Sequence, residues 1–306
     1  MITKRYFVPL FITLFVGLHI AVAGLKTITL QAKTTHGDTA LAATSPFNQR
    51  QYKTPAHKSA YPETTKELIK LLGDKAEWFN YKNSPIIERL PKDFSSLPLD
   101  KRKRVFIAAI LPIAVAVKKQ FDREHRYVIE MRNKIDQTGF IDQQNREKLN
   151  KLFARYRIKN GSLPEKINKL LIRTGSVPIS LILAQAAIES NWGASRFAIE
   201  GNNLFGIRTY KGKGIEPADY SGKKRFRVVV YKNLEASIKS YIINFNTGWA
   251  YKRLRKIRNA IYPNENPYML ANSLIYYSTR RGDYIKAVKD VIVRNNFERF
   301  DKNNST

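Results

Sequence analysis

Leu181-Ile-Leu-Ala-Gln-Ala-Ala-Ile-Glu-Ser-Asn-Trp-Gly193 is a run that reads as the inside of a helix, interrupted by a carboxylate at Glu189. Helical spacing puts Glu189 on one line with Ile182, Gln185, Ala186, Trp192 and Gly193. An ionised carboxylate is costly in apolar company, so burial favours the neutral acid and raises its pKa. A carboxylic acid still protonated near neutral pH is what a glycosidase uses to protonate a leaving oxygen. The bland alternative is a solvated or ion-paired glutamate.

The chain beyond this run adds to the case. Gly193 and Gly206 are natural stop and turn residues, and Asn202 and Asn203 tolerate turn geometry while bringing amides towards the site. Four motifs then stand in order: Ala184-Gln-Ala-Ala-Ile-Glu-Ser-Asn-Trp-Gly193, Asn202-Asn-Leu-Phe-Gly-Ile207, Phe226-Arg-Val-Val-Val-Tyr231 and Tyr277-Ser-Thr-Arg-Arg-Gly-Asp-Tyr284. Together they make Val177 to Phe297 resemble the glucosaminidase domain of glycoside hydrolase family 73. From about Leu97 the chain also resembles the helical extension of that family's Bax-type subgroup. The resemblance implies a lysozyme-like domain, with Glu189 as general acid and Tyr284 in the catalytic cleft.

A glycosidase ordinarily needs a second carboxylate or a substitute for one. The resemblance implies an acidic residue in the loop between the second and third motifs, where Glu216 and Asp219 both stand. The alternative is the substrate's own 2-acetamido group. Trp192, Phe205 and Tyr210 are candidate sugar platforms, since pyranose faces pack on aromatic rings. Asn202 and Asn203 are candidate amide contacts to sugar hydroxyls and the acetamido group. Each aromatic also has a plain reading as core.

Charge and composition bound the remaining possibilities. The 306 residues carry 54 Lys+Arg against 25 Asp+Glu, a formal +29, which points to a polyanionic partner. Cysteine is absent, excluding disulfides and thiolate chemistry. Four histidines are scattered and none falls in Val177–Phe297, so a histidine triad or metal cluster is not expected. No P-loop or dinucleotide-binding glycine pattern occurs, and no cofactor is inferred. Lys4 and Arg5 precede an uncharged stretch, Tyr6–Leu25, long enough to cross a bilayer. Ala21-Val-Ala23 has the form of a signal-peptidase site, so export by cleaved signal or retained anchor is expected, to the periplasm or the outer face of the inner membrane. Export argues against nucleic acid as the partner. It favours peptidoglycan strands and an anionic envelope surface, with Lys101-Arg-Lys-Arg104 and Tyr251–Arg258 as basic, solvated helix faces.

Along the chain the reading gives residues 1–25 as signal or anchor, 26–61 as linker, 62–173 as a helical extension and 174–300 as the catalytic domain. Val105–Val117 is too short for a membrane span and too apolar for a surface helix, hence a buried helix kinked at Pro112. Helices are predicted at Gln143–Arg157, Leu163–Arg173, Ile179–Ser190, Leu234–Asn246, Tyr251–Ile261, Pro267–Ile275 and Tyr284–Arg294. Leu204–Tyr210 and Arg225–Tyr231 have strand character and form a hairpin. The expected class is α+β, mostly helical, with one small hairpin. The expected function is hydrolysis of a β-1,4 glycan bond after N-acetylglucosamine. A lytic transglycosylase using the same glutamate, or a non-catalytic wall-binding module, are the alternatives.

Overall fold

The computed structural model describes residues 59–73, 84–210, 212–218 and 226–302. The expected export element at 6–25 and most of the expected linker lie outside the described residues. Among the described residues, no helix is long and apolar enough to cross a membrane.

The elements run β1 (Ser59–Ala60), α1 (Thr65–Leu72), β2 (Ile86–Ile87), α2 (Leu99–Thr138), α3 (Gln143–Arg155), α4 (Leu163–Arg173), α5 (Ile179–Glu189) and α6 (Arg196–Gly201). They continue through β3 (Arg208–Thr209), β4 (Arg227–Val228), α7 (Leu234–Thr247), α8 (Lys252–Ile261), α9 (Pro267–Ala271), α10 (Gly282–Arg294) and α11 (Arg299–Lys302). The α+β, mostly helical, lysozyme-like class read from the sequence is borne out. The hairpin is smaller than expected: Arg208 pairs with Val228 and Thr209 with Arg227, antiparallel, with one further bridge from Ile215 to Val228. Between Ile215 and Val228 the backbones come so close that a Cβ on Gly214 would lie 2.6 Å from the Val228 carbonyl. The parallel pair β1–β2 was not expected; it joins Ser59 and Ala60, at the end of the expected linker, to Ile86 and Ile87 of the expected helical extension. Two-residue strands are too short to leave an alternating pattern.

Helix α2 is the axis of the molecule. It runs unbroken through Pro112 for 40 residues and ends on Gly139, whose left-handed backbone lets its N–H reach the Ile135 carbonyl at 2.9 Å. Val105–Val117 is buried except for Ala116 because α1, β2, α4, α5 and α7 all pack on α2. The first half of α2 shares one core with α5, α7, α9 and α10. Its second half, from Val128, forms a smaller core with α3 and α4 around Phe153, Tyr156 and Leu170. Helix α2 thus takes part in both cores, and α4 also packs on α7 and α8 from beyond residue 174.

The basic run on α8 is a correction. Lys252, Arg253 and Lys256 face solvent, but Arg255 and Arg258 are buried. Arg258 donates through Nη1 to the carbonyls of Gly175 and Ser176 at 3.2 Å and to Asn246 Oδ1 at 2.7 Å, and through Nη2 to the Thr174 carbonyl at 2.5 Å. Arg255 Nη1 donates to the carbonyls of Phe245 and Gly248, each at 2.7 Å. These guanidiniums satisfy carbonyls that the ends of α4 and α7 leave without helical partners. The periodicity of α8 is amphipathic, but its inward face mixes Leu254 with two arginines, which charge counting alone reads as solvated. Arg258→Met takes this donor from the Thr174 and Ser176 carbonyls and Asn246 Oδ1, while Gly175 keeps its bond from Asn246 Nδ2. It is expected to cost about 3 kcal/mol or more of unfolding free energy in urea denaturation, whereas Arg253→Ala should stay within about 0.5 kcal/mol.

Candidate active site

Helix α5 is buried from Ile179 to Ala187, as a helix apolar on every side must be. No residue of its own caps its start; Asp301 from α11 does so across the fold. Asp301 Oδ1 accepts from the Ser180 backbone N–H at 3.0 Å and Oδ2 from the Ser180 hydroxyl at 2.5 Å. The helix stops at Glu189, and the chain turns through three consecutive left-handed residues, Asn191, Trp192 and Gly193. Left-handed backbone costs a non-glycine residue roughly 1–2 kcal/mol, so the packing around this turn must hold it. Ser190 does part of that work, donating to the Ala186 carbonyl at 2.6 Å and accepting from the Gly193 N–H at 2.8 Å. At Gly193 a side chain would lie within 3 Å of Leu90, Phe94 and Phe106, so only glycine fits.

Trp192 and Gly193 therefore leave the helical line on which the sequence had placed them with Glu189. The Trp192 ring packs at the edge of the core, 5.9 Å from Phe106 and 6.5 Å from Phe297, with the Lys103 ammonium 5.5 Å from its centroid. Gln185 and Ala186 remain on the line, and Gln185 is one turn before Glu189.

Glu189 ends a directed chain of hydrogen bonds. The Tyr241 hydroxyl donates to Gln185 Oε1 at 2.6 Å, Gln185 Nε2 donates to the Tyr284 hydroxyl at 2.8 Å, and Tyr284 donates to Glu189 Oε1 at 2.7 Å. Tyr284 comes from α10, which packs along α5. Its ring lies parallel to that of Tyr277, 5.2 Å away, and Tyr241 is stacked on Phe205 at 4.0 Å. Phe205 is thus core, not an open platform. The phenols of Tyr241, Tyr251, Tyr277 and Tyr284 are all buried, and burial foremost, then neighbouring charge including that of Glu189, keeps them protonated.

Desolvation pushes the Glu189 carboxyl up from 4.5 to about 8, against the opposing pull of the Tyr284 hydrogen bond and the Arg280 charge. Burial wins, so near neutral pH the group is mostly the neutral acid.

The other sequence candidates divide. Asn203 holds the hairpin together: its Nδ2 donates to the carbonyls of Ile207 at 2.9 Å and Val229 at 2.8 Å, and its Oδ1 accepts from the N–H groups of Phe205 and Ile207. Asn202 sits in left-handed conformation after α6 and donates to the Tyr231 carbonyl at 3.0 Å, and its buried Oδ1 has no partner among the described residues. Tyr210 is 53% exposed at the hairpin. Glu216 is exposed and paired with Arg227 at 3.1 Å, while its carbonyl accepts from Arg196. Asp219 lies outside the described residues.

Sequence reasoning did not single out Gln185, Tyr241 or Tyr277. A polar residue four before the acid in a wholly apolar helix was the available signal for Gln185; the tyrosines left none among 16 in the chain. Two exposed aromatics were also missed. Trp249 and Tyr276 are 36% and 45% exposed, with ring centroids 6.3 Å apart, and Arg281 lies 5.6 Å from the Tyr276 centroid. Each adjoins the phenol cluster in sequence, Trp249 two residues before Tyr251 and Tyr276 one before Tyr277.

Comparison with known proteins agrees with the motif reading. Residues 165–297 match the Glucosaminidase family, described as mannosyl-glycoprotein endo-beta-N-acetylglucosaminidase. Protein bax of Escherichia coli (strain K12) is 28% identical over 190 residues, which is 60% of this chain and 66% of that protein's length. No solved structure matches. The family match supports glycosidase activity in general.

Because the folded-state pKa of Glu189 lies above the ordinary 4.5, the folded protein binds this proton more tightly than the unfolded chain. That contribution to stability is complete below 4.5 and is lost as pH rises through 8. Glu189→Gln cannot ionise, so it should match the wild type at low pH and exceed it at pH 8 by on the order of 2–4 kcal/mol. Denaturation midpoints of both proteins across this range give the measurement. A constant gap between them would show that Glu189 ionises as freely when folded as when unfolded.

Proposed function

We propose that this protein is a peptidoglycan hydrolase that cuts the β-1,4 glycan after N-acetylglucosamine, with Glu189 as general acid. One observation carries the reading: a desolvated carboxyl, poised near neutral pH and bonded to the buried phenol of Tyr284, inside a glucosaminidase-family match. Glu189 gives its proton to the leaving oxygen as the bond from that oxygen to the anomeric carbon breaks. The Tyr284 hydroxyl stays on Oε1 and steadies the carboxylate that results.

With Glu216 already engaged by Arg227, the substrate's acetamido oxygen is the better candidate to bond to the anomeric carbon. The Glu189 carboxylate then takes a proton from water as that water adds to the same carbon and frees the acetamido group. Exposed Trp249 and Tyr276 supply a sugar platform in place of Trp192 and Phe205. We place the enzyme outside the cytoplasm, following the apolar Tyr6–Leu25 stretch and its basic flank.

Incubation with peptidoglycan and mass spectrometry of the products tests the reading. New reducing N-acetylglucosamine ends support it. Anhydro ends would assign a transglycosylase, and bound but uncut polymer a non-catalytic module. Glu189→Gln should lose about 10²-fold or more in kcat with folding kept. The wild-type kcat/KM should fall as pH rises through about 8, where the free acid ionises. Glu216→Gln should stay within about threefold, and a large loss in Asp219→Asn would restore a two-carboxylate mechanism.

A second expectation concerns charge. Replacing the exposed Lys252, Arg253 and Lys256 by Gln should weaken, in a salt-dependent way, association with anionic wall or vesicles, and leave turnover of short soluble glycans unchanged. Equal loss on both substrates would place α8 in the cleft.

A further inference from the structure

A buried amide must find partners, and Gln185 has two, one on each side. An amide is asymmetric, its oxygen only accepting and its nitrogen only donating. The Tyr241 hydroxyl donates to Oε1, which commits Nε2 to face Tyr284. The Tyr284 oxygen accepts that N–H, and its single proton points on to Glu189 Oε1. Direction thus passes one way through four side chains.

A neutral carboxyl carries its hydrogen on one oxygen only, and an oxygen that already receives a hydrogen from Tyr284 is the carbonyl of that acid. We propose that Gln185 is a positioning residue which, by orienting Tyr284, keeps Glu189 Oε1 as the acceptor and places the acid proton on Oε2. The inference rests on the reading of Glu189 as the general acid. Its consequence is geometric: the transferable proton occupies one fixed oxygen before substrate binds, so proton transfer does not wait for the carboxyl to reorganise. After transfer the same Tyr284 bond supports the anion, which makes the relay useful in both protonation states.

Infrared difference spectroscopy on the ligand-free protein reads this without any substrate. The carbonyl stretch of protonated Glu189, identified by its absence in Glu189→Gln, should lie at the lower frequency of a carbonyl that accepts a hydrogen bond. Tyr284→Phe and Gln185→Met should each raise it, and the double variant should move no further than Tyr284→Phe. On glycan, Gln185→Met should lose about tenfold in kcat, with KM within about twofold.

Should Gln185→Met not fold, Gln185→Glu serves. As a neutral acid it offers the same acceptor and donor, so rate and band should resemble the wild type at about pH 5. Once ionised it only accepts, draws the Tyr284 proton away, and the rate should fall at lower pH than the wild type's limb near 8. An unmoved band in Gln185→Met, losses that multiply with Tyr284→Phe, or a Gln185→Glu profile identical to the wild type would overturn the proposal. A protein with the expected infrared shifts that cuts no glycan would sink the glycosidase reading and leave the proton's placement standing.

Discussion

The cost of drawing the half-buried Glu189 carboxyl away from water is the constraint around which this molecule is arranged. A carboxylate in such surroundings needs either a cation or a proton, and burial here favours the proton. Neutrality of the acid in turn requires that its neighbours be donors that stay uncharged. Buried phenols meet that need, because burial moves them further from ionisation, in the direction opposite to a switch. The two desolvation effects therefore cooperate: one keeps an acid loaded, and the other keeps Tyr284 able to donate to it.

The support for this arrangement comes from distant parts of the chain. Asp301 caps α5 at one end, while the left-handed turn at Asn191–Gly193 is packed against Leu90, Phe94 and Phe106 at the other. Arg258 fixes the approach to α5 by bonding carbonyls from Thr174 to Ser176. Helix α2 supplies the surface on which α5 and α7 both rest. The long helix that the sequence set apart as an extension is thus structural to α5. Shortening the chain to residues 174 onwards would strip away about a third of the buried residues of the core around α5.

The basic excess has two physical meanings within one helix. On α8 the outward Lys252, Arg253 and Lys256 contribute to a field that anionic polymer can feel, whereas the inward Arg255 and Arg258 are hydrogen-bond donors to backbone. Arginine suits the second role because its guanidinium offers several donors in one plane and is less strongly hydrated than an ammonium. A net charge of +29 therefore overstates the surface available for binding.

What the sequence determined by itself was local and pattern-borne. A carboxylate inside an apolar helical run identified Glu189; capping and periodicity located α4 and α7 to within a residue; motif order gave the family resemblance and the α+β class. Tyr284 came through that resemblance, since nothing local distinguishes it from the other tyrosines. What only the tertiary structure decided was the use of side chains whose partners lie far along the chain. Gln185 meets Tyr284 across 99 residues and Tyr241 across 56, so no spacing rule could have joined them. Trp192 left its helical line because three left-handed residues end α5, and Phe205 and Asn203 were drawn inward by stacking and by the hairpin's own backbone. Periodicity reports which face of an element avoids water; which polar groups meet on that face is settled by packing.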